Sequence, residues 1–253
     1  MKPGSRAKGA LTEESRVDMF MSKNRNVFAI ALFVAMTAQA VFAQEAAEQK
    51  PATQEPFEER AAAASEQAAE DNSPVPAVET FHSGLIDIMK EAEALGFQGR
   101  IDRLSPLMGE TFDLDFMASK TVGRHWRKLS AEDKGRWAEA FTHFTTANYA
   151  GRFTGFTGEK FVTLGVEDAA RGTRVVLTKI VVPDGEEVQL NYRLVERDGT
   201  WKIIDVYLNG TVSELALRRS EYSSALKREG FDQLLDSIET KIADLKKKGK
   251  SEG

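Results

Sequence analysis

The sequence predicts an α+β protein in which helices cover one face of a curved antiparallel sheet. Three observations predict this class. Apolar residues recur at helical spacing up to about residue 153, they alternate with a period near two up to residue 208, and helical spacing returns after residue 213. Helices, then an antiparallel meander, then helices again are typical of a sheet with helices packed on one side.

Residues 1–43 have the features of a secretory signal peptide. Lys23 and Arg25 precede an apolar run over residues 27–42, and small residues stand at the −1 and −3 positions of a cleavage site after Ala43. We therefore expect an exported, soluble protein in the periplasm of a Gram-negative-type envelope. A short uncleaved anchor is the alternative. Two methionines are candidate translation starts: Met19 and Met21.

Residues 44–76 consist mainly of Ala, Glu, Gln and Pro, and Phe57 is their one aromatic residue. Such a segment buries too little apolar surface to offset the entropy of ordering. It is predicted to be a disordered acidic tether to the folded domain, residues 77–247.

Composition excludes several classes of site. The chain contains no cysteine, which excludes disulfides, thiolate nucleophiles and cysteine-ligated metal centres. A formal net charge of −5 gives no basic footprint for nucleic acid. No uninterrupted run reaches the 18 or more apolar residues typical of a membrane span, and no motif predicts a cofactor.

The folded part is predicted to open with three helices. The first ends at Gly96 and has an apolar stripe formed by Phe81, Leu85, Ile88, Met89, Ala92 and Leu95. A second helix is expected over residues 99–111, with a break at Pro106. Asp113 or Asp115 caps the third.

A longer aromatic helix follows. Ser130 with Asp133 three residues later is an N-terminal capping signature, which predicts a helix over residues 131–152. Its apolar side consists of Trp137, Phe141 and Phe144, with Tyr149 and Phe153 to one side.

Four strands are predicted next, near residues 161–167, 173–182, 188–196 and 201–208. Asp184-Gly185 and Asp198-Gly199 each predict a two-residue hairpin turn, and turn length fixes which residues share a face. The face expected to be covered by helices contains Val175, Leu177, Val181, Val188, Leu190, Tyr192, Leu194, Ile203, Asp205 and Tyr207.

The end of the chain is predicted to be helical again. A corner at Gly210 leads through Ser213 into a helix that stops before Gly230. An amphipathic helix then starts near Phe231 and extends to Lys247. Residues 248–253 are expected to be a flexible basic tail.

Asp205 is the one serious enzymatic candidate. A carboxylate on an apolar sheet face near Tyr192 and Tyr207 could act as a general base with a raised pKa. The competing interpretation is structural: Asp205 accepts hydrogen bonds from a tyrosine or from the corner and so fixes where the next helix starts. No second carboxylate or histidine shares the predicted face, which favours the structural interpretation.

Other chemical motifs are weak. His82, His125 and His143 are too far apart to form a metal-binding pair, so we expect ordinary histidines at the surface or its boundary. The segment Gly151–Lys160 resembles a phosphate loop only in its glycines. An apolar sheet face beside an aromatic helix, in an exported domain with few reactive residues, instead favours a carrier of an apolar molecule.

Two long stretches resemble a known family. They run from Ile101 to Phe153 and from Asp198 to Leu235, and they include the pairs Trp201…Asp205 and Gly210…Val212-Ser213 and the step Gly230-Phe231-Asp232. The chain resembles the MlaC/toluene-tolerance family of periplasmic lipid-binding proteins, and particularly its hopanoid-associated branch, HpnM. Thr211 departs from the pattern as an extra residue in the corner.

The resemblance implies a fold like nuclear transport factor 2 with added N- and C-terminal helices. It also implies a pocket for lipid acyl tails and transfer of phospholipid or hopanoid-type lipid between an inner-membrane ABC transporter complex and an outer-membrane acceptor. No catalytic residues come with it. The lipid-binding residues are predicted to be Phe141, Phe144, Tyr149, Leu177, Leu190, Tyr192, Leu194, Ile203, Tyr207, Val212 and Leu215, and the structural residues Trp201, Asp205 and Gly210. An envelope scaffold that docks through Arg218, Arg219 and the lysine tail is a further alternative.

Overall fold

A computed structural model describes residues 72–183 and 185–251. The predicted signal peptide and nearly all of the predicted tether lie outside the described residues. Before the sheet, the chain forms α1 (Val75–Lys90), α2 (Ala92–Thr111), α3 (Leu114–Thr121), a 3-10 turn (Gly123–Lys128) and α4 (Ala131–Arg152).

The predicted helix caps are present. Phe116 N–H donates to Asp113 Oδ1 over 3.0 Å at the start of α3, and Asp133 N–H donates to Ser130 Oγ over 3.0 Å at the start of α4. The break predicted at Pro106 is wrong, because α2 continues through this exposed position and leaves its helical path only at Gly96.

Five strands form one antiparallel sheet in chain order: β1 (Lys160–Ala169), β2 (Thr173–Val181), β3 (Glu187–Arg197), β4 (Thr200–Leu208) and β5 (Val212–Ser213). The α+β class and the four longer strands are as predicted. The fifth strand is the corner itself, since Ser213 pairs with Tyr207 at the sheet edge.

The β2–β3 hairpin does not have the predicted two-residue turn. Val182 N–H donates to Glu186 O over 3.0 Å, so this pair closes a loop of three residues, and Gly185 adopts the left-handed φ of 89° that such loops favour. Val176 therefore pairs with Tyr192. Successive side chains of a strand alternate between the two faces, so a shift of one residue relative to β3 turns every side chain of β2 to the other face. Val175, Leu177 and Val181, which were predicted to be covered, therefore lie on the face opposite to Tyr192.

The β3–β4 hairpin has the predicted turn, with positive φ at Asp198 (50°) and Gly199 (78°). Further along, Leu194 pairs with Ile203 but Arg193 pairs with Asp205, so β4 contains a bulge at residue 204. A bulge shifts the alternation by one residue. The prediction that Asp205 and Tyr207 share a face with Tyr192 is therefore wrong.

We call the face that carries Tyr192 the inner face. It consists of Val176, Thr178, Ile180, Val188, Leu190, Tyr192, Leu194, Ile203, Val206 and Leu208, and most of these side chains are fully buried. Helices pack on this face: Phe81 of α1 meets Tyr192 with ring centroids 6.2 Å apart.

Two helices complete the described chain: α5 (Glu214–Arg228) and α6 (Phe231–Ser251). Gly230, with φ of 91°, separates them. The buried side of α6, which includes Leu234 and Ile238, packs against α4. The helix continues past Lys247, into the segment predicted to be a flexible tail.

Candidate functional site

An aromatic cluster fills the space between the inner face and the helices. We define it as Phe81, His82, Phe112, Tyr149, Phe161 and Tyr192. Phe81 makes edge contacts with Phe112 and Tyr149, with ring centroids 4.9 and 5.6 Å apart. Edge-to-face contacts of this kind suit the ring quadrupoles and add specific geometry to apolar burial. The cluster is an apolar interior that helices α1 and α4 and strands β1 and β3 build together.

His82 lies inside this cluster rather than at the surface. Its ring stacks on Phe161 with centroids 4.0 Å apart and meets the edge of Tyr192 at 5.1 Å. Burial lowers the pKa of His82 to about 3, because the apolar surroundings disfavour the imidazolium. The expectation that His82 is a surface or boundary histidine is therefore wrong, and the side chain is neutral at ordinary pH.

Two polar atoms of this cluster are buried without a hydrogen-bond partner among the described residues: His82 Nε2 and Tyr192 OH. Thr146 Oγ1, on α4, is also buried and unpaired within these residues. An unpaired buried polar group costs about 1–3 kcal/mol, so most such groups in proteins are paired. Burial, followed by the charge of Glu214, raises the pKa of Tyr149, and burial also raises the pKa of Tyr192. Both phenols are neutral, and Tyr192 OH is a hydrogen-bond donor without an acceptor in the described part of the chain.

Most of the residues predicted to bind lipid lie around this interior. On the sheet, Leu190, Tyr192, Leu194 and Ile203 are buried on the inner face. On α4, Phe141, Phe144 and Tyr149 are buried in the same core, and Tyr149 contacts the cluster through Phe81. Val212 and Leu215 are half-buried at the corner and pack against the same core.

Leu177 and Tyr207 do not join them. Leu177 belongs to the opposite face because of the longer β2–β3 loop, and Tyr207 because of the bulge in β4. Both side chains are only half-buried. The sequence analysis missed four members of the cluster: Phe81, His82, Phe112 and Phe161. Phe81 stood in the apolar stripe of the first predicted helix, which was a usable signal.

Asp205 organises the corner. Ser213 Oγ donates to Asp205 Oδ2 over 2.6 Å, and the N–H groups of Leu215 and Val206 donate to Oδ1 over 3.0 and 2.9 Å. Burial raises the pKa of Asp205, and these hydrogen bonds act against that rise. Three donors occupy the carboxylate, and Tyr192, a predicted partner in catalysis, lies on the other face of the sheet.

Two further residues fix this region. Trp201 Nε1–H donates to the carbonyl and to the side-chain oxygen of Asn72, over 3.1 and 2.8 Å, and so ties the chain before α1 to β4. Gly210 has a φ of 74°, and its α-carbon lies so close to the Gln189 side chain that a Cβ atom would stand 2.6 Å from it. The left-handed conformation is what favours glycine at this corner, since the exposed Gln189 side chain can move aside.

Charged residues of α5 border the aromatic interior. The Arg218 guanidinium lies over the Phe144 ring at 5.0 Å and pairs with Glu214 at 3.6 Å and Glu221 at 3.4 Å. Arg218 and Glu214 are only about a fifth exposed. The interior therefore meets a partly buried ionic rim at the start of α5. The part that Glu214 has in this rim was not predicted from the sequence.

Other kinds of site are not found in the described part of the chain. Over residues 72–183 and 185–251, no group of His, Asp and Glu side chains is arranged to hold a metal ion. None of the helices in these ranges is both long and apolar enough to cross a membrane.

Comparison with protein families bears on this arrangement directly. The model of the family described as MlaC protein matches residues 79–240, which include most of α1, the whole sheet and about the first half of α6. The chain belongs to the MlaC family. The match covers every member of the aromatic cluster and the Asp205 corner, so both are features of an MlaC-family domain.

A solved structure has the same fold. It is that of a phospholipid-binding protein from Ralstonia solanacearum in complex with a phospholipid, and it matches with 19% sequence identity and a TM-score of 0.60. The match covers 67% of this chain and 97% of that one. At a sequence identity this low, the structural similarity shows that the two proteins share a fold. A comparison with curated protein sequences finds no significant match.

Proposed function

We propose that this MlaC-family protein binds a lipid and transfers it between membranes. The observation that carries the proposal is the aromatic cluster, an apolar interior between sheet and helices that contains unpaired polar atoms. Membership of the MlaC family supports it, and so does a shared fold with a protein solved in complex with a phospholipid. A binding protein rather than an enzyme fits best, because three hydrogen bonds occupy the Asp205 carboxylate.

The acyl chains would lie between the inner face and helices α1 and α4. Leu190, Leu194 and Ile203 would contact them from the sheet, and Phe141 and Tyr149 from α4. These side chains are buried against one another, so the lipid enters by parting the helices from the sheet. Burial of acyl chain contributes about 0.8 kcal/mol per methylene, or roughly 10 kcal/mol for a long chain, which is enough to offset such a rearrangement.

The unpaired polar atoms would bind the polar part of the lipid next to its tails. Tyr192 OH can donate to an ester carbonyl or to a hydroxyl oxygen, and Thr146 Oγ1 can do the same. Because these groups have no partner within residues 72–183 and 185–251, a lipid oxygen would satisfy them at no cost to a hydrogen bond of the described structure. This makes lipid binding favourable beyond simple burial of the tails.

The cellular role follows the resemblance noted above. We place the protein in the periplasm, exported by the signal peptide at residues 1–43, where it carries lipid between an inner-membrane ABC transporter complex and an outer-membrane acceptor. Phospholipid and hopanoid-type lipid are the two candidate cargoes, the second because the sequence resembles the HpnM branch. The alternative of an envelope scaffold is less well supported. One of its predicted docking residues, Arg218, already forms ion pairs with Glu214 and Glu221.

Native mass spectrometry of the protein purified from a hopanoid-producing Gram-negative host tests this function. We expect one lipid per chain, and its mass identifies a phospholipid or a hopanoid. Protein that carries no lipid, and that takes none from added vesicles, would refute the proposal.

A matched pair of variants locates the effect. Val188→Trp fills the inner face and should lower lipid occupancy, whereas Val175→Trp places the same side chain at a similarly half-buried position on the opposite face and should not. Each insertion costs about 1–3 kcal/mol of stability, which the pair controls for.

A further inference from the structure

A polar cavity lies outside the aromatic cluster, between α5 and the 3-10 turn Gly123–Lys128. It has a volume of about 310 Å³ and is lined by Arg124, His125, Arg219, Ser223, Ser224 and Lys227. No carboxylate is among the lining residues. Two arginines and a lysine give it three formal positive charges, and two serine hydroxyls add neutral hydrogen-bond donors.

These cations have no anionic partner in the part of the chain that the structure describes. Within residues 72–183 and 185–251, Arg124, Arg219 and Lys227 form no salt bridge or cation–π contact, whereas Arg218 and Arg228 on the same helix are both ion-paired. Like charges gathered in a concave site repel one another, and a bound anion relieves that repulsion.

Helix geometry brings the α5 residues of the cavity together. Arg219, Ser223 and Lys227 follow each other at intervals of four residues, so they form one stripe along about 12 Å of helix. Arg124 and His125 face this stripe from the 3-10 turn. Donors thus surround the cavity from two elements rather than from a single flat helix surface.

One arginine of the cavity lies against the 3-10 turn. The Arg219 guanidinium packs against Gly123, where a Cβ atom would stand 3.0 Å from Arg219 Nε. Gly123 also has a left-handed φ of 55°, which favours glycine in its own right. The guanidinium therefore lies between the two elements that line the cavity, and its forked donors match the geometry of phosphate oxygens.

We propose that this cavity binds a phosphate group. Its volume is at the lower limit of small-molecule sites, which suits a single compact anion and not an acyl chain. Two sources share this chemistry: the phosphodiester of a lipid headgroup, and inorganic phosphate or a soluble phosphate ester. The site rests on its own residues, and only the headgroup source depends on the proposed lipid carriage.

Titration of the isotope-labelled protein with inorganic phosphate at constant ionic strength, followed by NMR, tests the site. We expect saturable shifts of the amides in Gly123–Lys128 and Arg219–Lys227. Arg219→Gln and Lys227→Gln should each weaken binding about tenfold, because each removes one charge-assisted hydrogen bond. Arg228→Gln, an exposed arginine of the same helix outside the cavity, should leave binding unchanged.

Two arms of the titration distinguish the sources. If the lipid-free protein binds phosphate but protein loaded with phosphatidylglycerol does not, the headgroup occupies the cavity. Equal binding by both forms, or binding by a protein that never takes up lipid, assigns the site to phosphate from solution. Shifts that do not saturate, or that are the same in Arg219→Gln and Lys227→Gln as in the unaltered protein, would overturn the proposal.

Discussion

Asp205 and Ser213 are joined by a hydrogen bond of 2.6 Å from Ser213 Oγ to Asp205 Oδ2, which ties the last long strand to the start of α5. The other carboxylate oxygen accepts the Leu215 N–H of the first helical turn. Ser213 Oγ in turn accepts the Ala216 N–H as the helix cap. One carboxylate therefore fixes both the corner and the first turn of the helix that borders the interior.

Replacement of Asp205 distinguishes a structural role of its carboxylate from a catalytic one. We expect Asp205→Asn to lower the free energy of unfolding by about 1–2 kcal/mol, since an amide cannot accept all three hydrogen bonds. Urea unfolding measures the loss. Lipid occupancy should remain at the level of the unaltered protein at temperatures where the variant is folded. A turnover abolished by Asp205→Asn in a folded protein would instead support the enzymatic alternative.

The lowered pKa of His82 should make the stability of the protein depend on pH. Its pKa is about 3 in the folded protein and near 6.5 when unfolded, so the unfolded chain binds a proton that the native protein excludes. The contribution of His82 to stability is thus complete above pH 6.5. It declines by about 1.4 kcal/mol for each pH unit below 6.5 until the pH reaches the folded pKa.

His82→Phe keeps a ring against Phe161 and removes the titration. The stability of the unaltered protein should fall relative to this variant by about 3 kcal/mol between pH 7 and pH 4.5, measured by urea unfolding. Parallel curves for the two proteins across this range would show that His82 is accessible to protons in the folded state.

Replacement of Tyr192 by Phe should raise the stability of the protein and lower its affinity for lipid. Tyr192→Phe removes a buried hydroxyl that has no partner among the described residues, so the lipid-free protein should become about 1 kcal/mol more stable. If that hydroxyl donates to the lipid, affinity in a vesicle-uptake assay should fall about three- to tenfold.

Tyr207→Phe is the control for this experiment. Tyr207 lies one strand away on the opposite face, and loss of its hydroxyl should leave lipid affinity unchanged. An equal loss of affinity in both variants would show that the two hydroxyls act on general stability rather than on the lipid.

Much of the fold was predictable because its signals are local. Caps at Asp113 and Ser130 and the turn at Asp198-Gly199 depend on a few adjacent residues, and each is present as predicted. The β2–β3 loop also has a local signal, since Pro183 and Gly185 suit the first and last positions of a longer turn. The prediction of a two-residue turn considered only the pair Asp184-Gly185.

The candidate site was less predictable because it depends on contacts between distant segments. The bulge at residue 204 leaves no mark in a run of apolar residues, yet it decides the face on which Asp205 and Tyr207 lie. Likewise, His82 is buried only because Phe161 of β1 and Tyr192 of β3 enclose it. An error of one residue in register thus exchanged the two faces of the sheet for β2 and for the end of β4. The positions of the strands along the chain were nevertheless predicted correctly.

Photocrosslinking with a phospholipid that carries a diazirine on its acyl chain tests the central claim most directly. After loading and irradiation, mass spectrometry of peptides shows which residues contact the tail. The account predicts crosslinks to the inner face and α4, at positions such as Leu190, Tyr192 and Tyr149. Crosslinks confined to the opposite face, around Leu177 and Tyr207, or no crosslinks in a loaded protein, would contradict it.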